Sequence, residues 1–136
     1  MTAARRNALG AELRARGLRA TPTRLDVLAR VRASAIALSH ADLVRRLPPD
    51  HDRTTIFRAL GALVRVRLLR RIDVGDHVWR FAAASDAVVP ASFACRTCGR
   101  VTDLPGLTLD GIPSAPGAIR RGEIELVAFG RCDACS

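Results

Sequence analysis

The first half of the chain carries apolar residues three or four positions apart, which is the pattern of amphipathic helices. Over residues 5–16, Leu9 and Leu13 fall on one helical face. Gly17 follows at a position where glycine commonly ends a helix. The pattern therefore predicts a first helix over residues 5–16.

Two further helices are predicted from their capping residues. Thr21 is suited to be the N-cap of a second helix, with Pro22 in the first helical position. Ser39 can cap a third helix, and Asp42 three residues later gives a short form of the capping box. The third helix must end before Pro48–Pro49, because the residue that precedes a proline disfavours helical conformation.

A fourth helix followed by a β-hairpin completes this half. Asp52 is the predicted N-cap of a helix over residues 53–67. Strands are predicted at residues 69–72 and 77–81, on either side of a Gly75–Asp76 turn. The apolar stripe of the fourth helix consists of Ile56, Leu60, Leu63 and Val64. Helices followed by a hairpin have the element order of a winged helix-turn-helix.

The second half has a different character. Residues 93–104 and 123–131 have the composition of strands, whereas residues 105–122 are rich in glycine and proline, which disfavours a long helix there. We therefore predict an α+β protein. Its predicted parts are a winged-helix domain over residues 1–81, a hinge over residues 82–87 and a small α/β domain over residues 88–136.

The formal net charge of +9 lies wholly in the first half of the chain. Residues 1–84 hold 17 arginines against seven acidic residues, a net charge of +10, whereas residues 85–136 hold five against six, a net charge of −1. This asymmetry predicts a polyanionic partner, of which nucleic acid is the commonest. An ordinary solvated surface is the alternative interpretation.

Other classes of protein are disfavoured by what the sequence contains. It has no run of 18 apolar residues, and Arg5 and Arg6 are not followed by a signal-peptide core, so we expect a cytoplasmic protein without a membrane span. The three histidines, His40, His51 and His77, are scattered, and no pairing of a nucleophile with a base is indicated. Neither an enzyme nor a small-molecule substrate is expected.

All four cysteines form two pairs with the same spacing, Cys95 with Cys98 and Cys132 with Cys135. Two such pairs at strand ends can place four thiolates around one zinc ion. Two disulfides are the first alternative, although no secretion signal supports them. Two redox-active pairs are the second, although neither pair clearly opens a helix after a strand.

A zinc ion bound by four cysteines is structural rather than catalytic, because no ligand position stays open for substrate. We expect one structural Zn²⁺ ion per subunit. The second half has about 50 residues, which is too few for apolar burial alone to hold it folded. Zinc binding contributes its free energy directly to the folding of such a small unit.

Candidate DNA-contacting residues lie at two places in the basic half. On the fourth helix, Thr55 and Arg58 share a face, where a hydroxyl can bind phosphate and a guanidinium can reach a guanine edge. Phe57 could contact a thymine methyl group. An ordinary exposed helix face with a half-buried Phe57 is the alternative. The candidates at the two places are Arg19, Thr21 and Arg24 around the start of the second helix, and Arg53, Thr54, Thr55, Phe57 and Arg58 on the fourth helix.

Taken together, the motifs resemble those of the ferric uptake regulator family. The resemblance extends from about residue 10 to residue 135 and keeps the motifs in the family's order. The matching motifs are Gly17-Leu18-Arg19-Ala20-Thr21-x-x-Arg24, Ser39-x-Ala41-Asp42-Leu43, Thr54-Thr55-Ile56-Phe57-Arg58-x-Leu60, Phe93-x-Cys95-x-x-Cys98-Gly99-x-Val101 and Phe129-Gly130-x-Cys132-x-x-Cys135.

The resemblance implies a winged-helix half that binds DNA and an α/β half that dimerises. It implies that Thr55, Phe57 and Arg58 lie on the recognition helix, that Arg19 enters the minor groove, and that the four cysteines bind structural zinc. A homodimer of this kind would bind a palindromic operator in double-stranded DNA.

The sensory metal ligands of the family are not found at the corresponding positions. The histidine-rich cluster before the first cysteine pair is replaced by residues 88–92, which include no ligand, and two further sensory positions fall near Ala37 and Arg80. Later sensory positions would fall in residues 105–125, which contain no histidine, and Pro113 and Pro116 disfavour the helix expected there.

The sequence thus predicts a DNA-binding transcription regulator, expected to be a repressor, that needs no regulatory metal. The alternatives are a zinc-stabilised module that binds protein or RNA, and a regulator that responds to thiol oxidation. Palindrome-specific and salt-sensitive binding to duplex DNA distinguishes the first function from the interaction module.

Overall fold

The computed structural model describes residues 1–85, 90–104 and 125–136. The α+β class is confirmed. The elements are α1 Ala3–Ala15, α2 Pro22–Ala33, β1 Leu38–Ser39, α3 His40–Arg46, α4 Arg53–Arg65, β2 Leu69–Ile72, β3 Arg80–Ala83, β4 Ala91–Cys95, β5 Val101–Asp103, β6 Leu126–Gly130 and a short 3-10 helix at Asp133–Cys135. The predicted absence of a long helix over residues 105–122 falls outside the described residues.

Helices α2, α3 and α4 begin at their predicted caps, whereas α1, predicted over residues 5–16, begins at Ala3 with Thr2 as its cap. The Thr21 hydroxyl accepts a hydrogen bond from the backbone N–H of Arg24 at 3.3 Å. Ser39 and Asp42 form a complete capping box, in which each side chain accepts from the other residue's backbone N–H, at 3.1 and 2.9 Å. The Asp52 carboxylate accepts from the backbone N–H of Thr55 at 2.6 Å, so the start of α4 is well defined.

The helices bury one continuous apolar core with the first sheet. This sheet has the strand order β1-β3-β2 and is antiparallel throughout. The core includes Leu13, Val27, Leu28, Leu38, Leu43, Ile56, Leu60, Leu63, Leu69 and Phe81. The apolar stripe of α4 lies against this core, which leaves the opposite face of α4 in solvent.

The hairpin differs from its prediction in one respect. The return strand begins at Arg80, so the expected strand over residues 77–81 is wrong at His77, Val78 and Trp79. His77 has a φ of 62°, which an extended strand cannot contain. The carboxylates of Asp73 and Asp76 accept hydrogen bonds from backbone N–H groups two residues later, at 2.8 and 3.3 Å. These local turns make a longer loop than a two-residue hairpin turn.

The second sheet has the strand order β5-β4-β6, in which β4 and β5 are antiparallel and β4 and β6 are parallel. Residues 93–104, whose composition predicts strand, contribute to β4 and β5, and a turn at residues 96–100 separates the two strands. The strand predicted at residues 123–131 corresponds to β6, and residues 123–124 of that prediction lie outside the described part.

The two sheets contact each other directly. Ala37 and Ile72 from the first half form a buried apolar cluster with Ala94 and Val101 from the second. The backbone N–H of Ala37 also donates to the carbonyl of Val101 at 2.7 Å. Within the segment predicted as a hinge, residues 82 and 83 belong to β3, and residues 86–87 are outside the described residues.

The side chain of Arg70 adds a polar contact between the halves. Its Nη2 atom donates to Asp103 Oδ1 at 2.5 Å, to Ser92 Oγ at 3.0 Å and to the carbonyl of Ala91 at 3.3 Å. The Arg70 side chain is only 12% exposed, whereas that of Asp103 is 46% exposed. A guanidinium of the winged-helix half is thus buried against the second sheet.

Candidate metal centre and nucleic-acid interface

The parallel pairing of β4 with β6 brings the two cysteine pairs together. Cys95 is the last residue of β4 and lies beside Gly130 at the end of β6, so Cys132 follows immediately next to it. Gly99, with a φ of 79°, allows the tight turn that contains Cys98. The short 3-10 helix then returns Cys135 to the same place.

The four sulfur atoms all lie within 4.8 Å of one another. The Sγ atoms of Cys98 and Cys132 are 3.8 Å apart. A tetrahedral zinc site with Zn–S bonds of about 2.3 Å has sulfur–sulfur edges of about 3.8 Å. The donor chemistry and the spacing therefore both fit a Zn²⁺ ion held by Cys95, Cys98, Cys132 and Cys135.

The environment of the thiols also suits a cation. The backbone N–H groups of Cys98 and Cys132 donate to Cys95 Sγ at 3.5 and 3.4 Å, and they lower the pKa of Cys95 to about 5. A hydrogen bond with Cys132, followed by burial, raises the pKa of Cys135 to about 12. One thiolate forms readily, whereas the full set of thiolates requires a bound positive charge.

The candidate DNA-contacting residues of α4 lie on its solvent face, at the N-terminal end. The residues Arg53, Thr54, Thr55, Phe57 and Arg58 are all exposed. The Phe57 side chain is 63% exposed, so the alternative of a half-buried phenylalanine does not describe it. The Phe57 ring is therefore available to a partner, next to the guanidinium groups of the exposed Arg53 and Arg58.

The other candidates lie at the corner between α1 and α2. Arg19 is exposed, and its carbonyl accepts a hydrogen bond from Nη1 of Arg24 at 3.0 Å. Thr21 is half-buried, and its hydroxyl serves as the cap of α2. The Arg24 guanidinium is thus held across the corner, close to the exposed Arg19.

A buried hydrogen-bond network connects this corner to the start of α4. His51 Nδ1 lies 2.8 Å from Thr23 Oγ1, and His51 Nε2 lies 2.6 Å from Asp26 Oδ2. Arg6 pairs with the same Asp26 at 2.9 Å. No spacing along the chain predicts these contacts, because Thr23 and Asp26 lie more than 20 positions away from His51.

This network has the residue types of a hydrolytic triad but not the accessibility of one. The Thr23 residue is 8% exposed and the His51 side chain 6% exposed, so a substrate carbonyl could not approach the hydroxyl. We interpret the network as structural. It fixes the loop before α4 against α2, and so it sets the position of the exposed α4 face relative to Arg19 and Arg24.

The remaining histidine near α4 also has a structural partner. His40 Nε2 lies 2.8 Å from the carbonyl of Arg53, and its ring meets Phe57 edge-on, with centroids 5.6 Å apart. His40 therefore orients Phe57 from the first turn of α3. The sequence does not predict this contact, since the spacing of His40 from Phe57 has no helical or strand period.

Ala37 and Arg80, which stand near two of the sensory metal positions, take part in other contacts. Ala37 lies in the buried cluster between the sheets. Arg80 pairs with Asp76 through an Nη2–Oδ2 distance of 2.9 Å, and its side chain is 15% exposed. Residues 88 and 89, and the later sensory positions over 105–124, lie outside the described residues. No helix that could span a bilayer is found in the part that the structure describes.

Several solved structures share this fold. The Vibrio cholerae ferric uptake regulator is 18% identical with a TM-score of 0.65, over 91% of this chain and 99% of that one. The Helicobacter pylori ferric uptake regulator, described with three functional metal-binding sites, is 15% identical with a TM-score of 0.63, over 97% and 91%. A zinc uptake regulator complexed with zinc and DNA is 23% identical with a TM-score of 0.61, over 99% and 96%.

A search of curated proteins found no match. The sequence profile of the ferric uptake regulator family matches residues 15–114, which is more than half of the chain, and this confirms the resemblance seen in the motifs. The chain belongs to the ferric uptake regulator family.

Proposed function

We propose that this chain is a cytoplasmic, sequence-specific regulator of transcription that acts as a repressor. Two copies bind a palindromic operator in double-stranded DNA. Each subunit holds one structural Zn²⁺ ion through Cys95, Cys98, Cys132 and Cys135, and DNA binding requires no second metal. The winged-helix domain over residues 1–81 makes the DNA contacts, and the domain over residues 88–136 makes the dimer.

The exposed face of α4 is the single observation that carries the DNA-binding proposal. Phe57 stands in solvent between Arg53 and Arg58, and neither arginine forms an ion pair with a described residue. Unpaired guanidinium groups can contact phosphates and guanine edges, while an exposed ring can contact a thymine methyl. Arg19 and Arg24 lie at the corner between α1 and α2, and the nearby Thr23 hydroxyl is hydrogen-bonded to His51 in the loop before α4.

Independence from a second metal is supported by the contacts between the halves. The apolar cluster of Ala37, Ile72, Ala94 and Val101 and the buried Arg70 side chain form contacts that join the two sheets. A sensory metal changes an equilibrium between conformations only if it binds one of them more tightly. A pair of domains already joined at this interface has less to gain from such a metal.

The test begins with selection of bound sequences from a pool of random duplexes by the zinc-loaded protein. We expect enrichment of a two-fold symmetric site. Arg58→Gln should weaken binding to that site by about 1–3 kcal/mol and relax its specificity at one position in each half-site. Arg30→Gln is the matched control, because Arg30 is exposed on α2, outside the proposed face, and its substitution removes the same charge.

The alternative functions have their own outcomes. If no symmetric site is enriched and a structured RNA competes at equal mass with the random duplexes, the protein is an RNA-binding module. If Arg30→Gln and Arg58→Gln weaken binding equally, the attraction is a general one for phosphate and the proposed face is wrong. Cys98 is exposed, so loss of DNA binding on mild oxidation, restored by thiol and zinc, would indicate a redox-responsive regulator.

A further inference from the structure

A groove of about 500 Å³ lies between α4 and the loop that joins β2 to β3. One wall is α4 from Phe57 to Arg65, and the other is the segment from His77 to Phe81 with Arg71 beside it. The volume lies within the range of about 300–1,000 Å³ that is usual for small-molecule sites. Neither the zinc centre nor the core makes use of this space.

Gly61 lines the groove and is not needed there for packing. It lies in the interior of α4, where glycine destabilises a helix by about 1 kcal/mol relative to alanine. A Cβ atom added at Gly61 would meet no atom within 4 Å, and its backbone has no positive φ. The fold therefore tolerates a side chain at this position, and the effect of glycine is to keep the groove open.

The walls of the groove expose more apolar surface than the fold requires. Trp79 is 47% exposed and Phe57 63% exposed, and Val78, on the same wall as Trp79, is exposed as well. Aromatic side chains that face one another across an open space can enclose a flat apolar ligand.

Two arginines lie among the polar groups that line the groove, which also include Ser39, His40 and His77. Arg65 and Arg71 line it, and neither forms an ion pair with a described residue. The Arg71 guanidinium stacks over the Trp79 ring at 3.9 Å from its centroid, which orients its N–H edges. No aspartate or glutamate lines the groove, so its charge is complementary to an anion.

We propose that the groove between α4 and the β2–β3 loop binds a small organic carboxylate, whose apolar body lies over Gly61 between Phe57 and Trp79 and whose carboxylate pairs with Arg71 and Arg65. Because Phe57 also belongs to the proposed DNA-binding face, a bound carboxylate would displace duplex DNA. This second consequence rests on the proposed function, whereas ligand binding itself does not.

The chain carries its own reporter for the test. Trp79 is the single tryptophan and the sequence contains no tyrosine, so the fluorescence reports on the groove alone. The zinc-loaded full chain is titrated, without DNA, with 4-tert-butylbenzoate and separately with the neutral 4-tert-butylbenzamide. We expect a saturable change with the carboxylate and an affinity at least about tenfold lower for the amide, because the amide lacks the charge that pairs with arginine.

Variants separate the site from nonspecific effects. Gly61→Leu places an apolar side chain in the groove. Because leucine favours helix more than glycine does, this variant should keep the fold and abolish binding. Gly61→Ala should stabilise the fold and weaken binding much less. Arg71→Gln should lower the carboxylate affinity about tenfold, as expected for the loss of one charge-assisted hydrogen bond. Arg30→Gln, which removes an exposed charge elsewhere, should leave it unchanged.

Three results would overturn the binding proposal: equal affinity for the carboxylate and the amide, unchanged affinity in Gly61→Leu, or a fluorescence response to a duplex oligonucleotide but to neither small molecule. The last result would assign the groove to the DNA backbone. If the carboxylate binds but does not compete with the selected duplex, the binding site stands and the regulatory consequence is refuted.

Discussion

The contact between Arg70 and Asp103 allows a prediction in which the two partners of one ion pair behave differently. Arg70 is buried at the interface between the halves, with 12% of its side chain exposed, whereas Asp103 is 46% exposed. We consider Arg70→Met, Asp103→Ala and the double variant. Methionine keeps much of the length and apolar volume of the arginine stem.

The magnitudes follow from which charge is left without its partner. Removal of Asp103 leaves the buried guanidinium without a countercharge, which costs about 3–5 kcal/mol for a fully buried pair; the exposure of Asp103 reduces our expectation to about 2 kcal/mol. Removal of Arg70 leaves a carboxylate that water can reach. Nε and Nη1 of Arg70 are buried and lack a hydrogen-bond partner among the described residues, so Arg70→Met should cost less than about 1 kcal/mol.

The assay is urea denaturation of the zinc-loaded protein, monitored by circular dichroism, with the slope of each transition compared before the free energies are. The double variant should resemble Arg70→Met, because the cost of losing Asp103 exists only while the guanidinium is present. If Arg70→Met destabilises the protein as much as Asp103→Ala does, the contacts of Arg70 outweigh its desolvation and our reasoning about this interface is wrong.

Three other changes have outcomes that the structure determines. Glu12→Gln should lower the free energy of unfolding by about 0.5–1 kcal/mol at neutral pH. The hydrogen bond from Arg32 lowers the pKa of Glu12, so this contribution to stability is lost as the pH falls through the pKa of the folded state. An equal effect of the substitution in strong acid would contradict this prediction. His51→Ala should cost about 2 kcal/mol in urea denaturation, because it leaves the buried Thr23 hydroxyl unpaired and takes from Asp26 one of its two partners; a negligible cost would show that the network does not stabilise the fold. Cys98→Ser should lower the zinc content below one ion per chain and reduce the circular dichroism signal of the strands, whereas Thr97→Ser in the same turn should change neither. Full zinc content in Cys98→Ser would exclude Cys98 as a ligand.

Local chemistry made much of the fold predictable. The caps at Thr21, Ser39 and Asp52 locate the starts of three helices, because each supplies a side-chain acceptor for backbone N–H groups that have no partner within the helix. The cysteine spacing is equally local: each pair lies at a strand end, so a tetrahedral cluster needs only that the two strands end together. Their parallel pairing provides this.

Features that depend on tertiary proximity could not be predicted in this way. The two-residue strand β1 exists only because β3 pairs with it, and the left-handed backbone at His77 is a conformation that only a small share of histidines adopt. The buried position of Arg70 was equally hidden, since an arginine in an amphipathic strand is ordinarily expected in solvent. The groove at Gly61 depends on how far the β2–β3 loop lies from α4, which no spacing along the chain encodes.

The most direct test of the central claim is an anisotropy titration of the selected duplex with protein that holds one zinc ion per chain, in buffer stripped of all other metals. We predict binding of two chains per duplex that weakens steeply with salt and changes less than about twofold when Mn²⁺, Fe²⁺ or further Zn²⁺ is added. Failure to bind the duplex until a second metal equivalent is supplied would contradict the account.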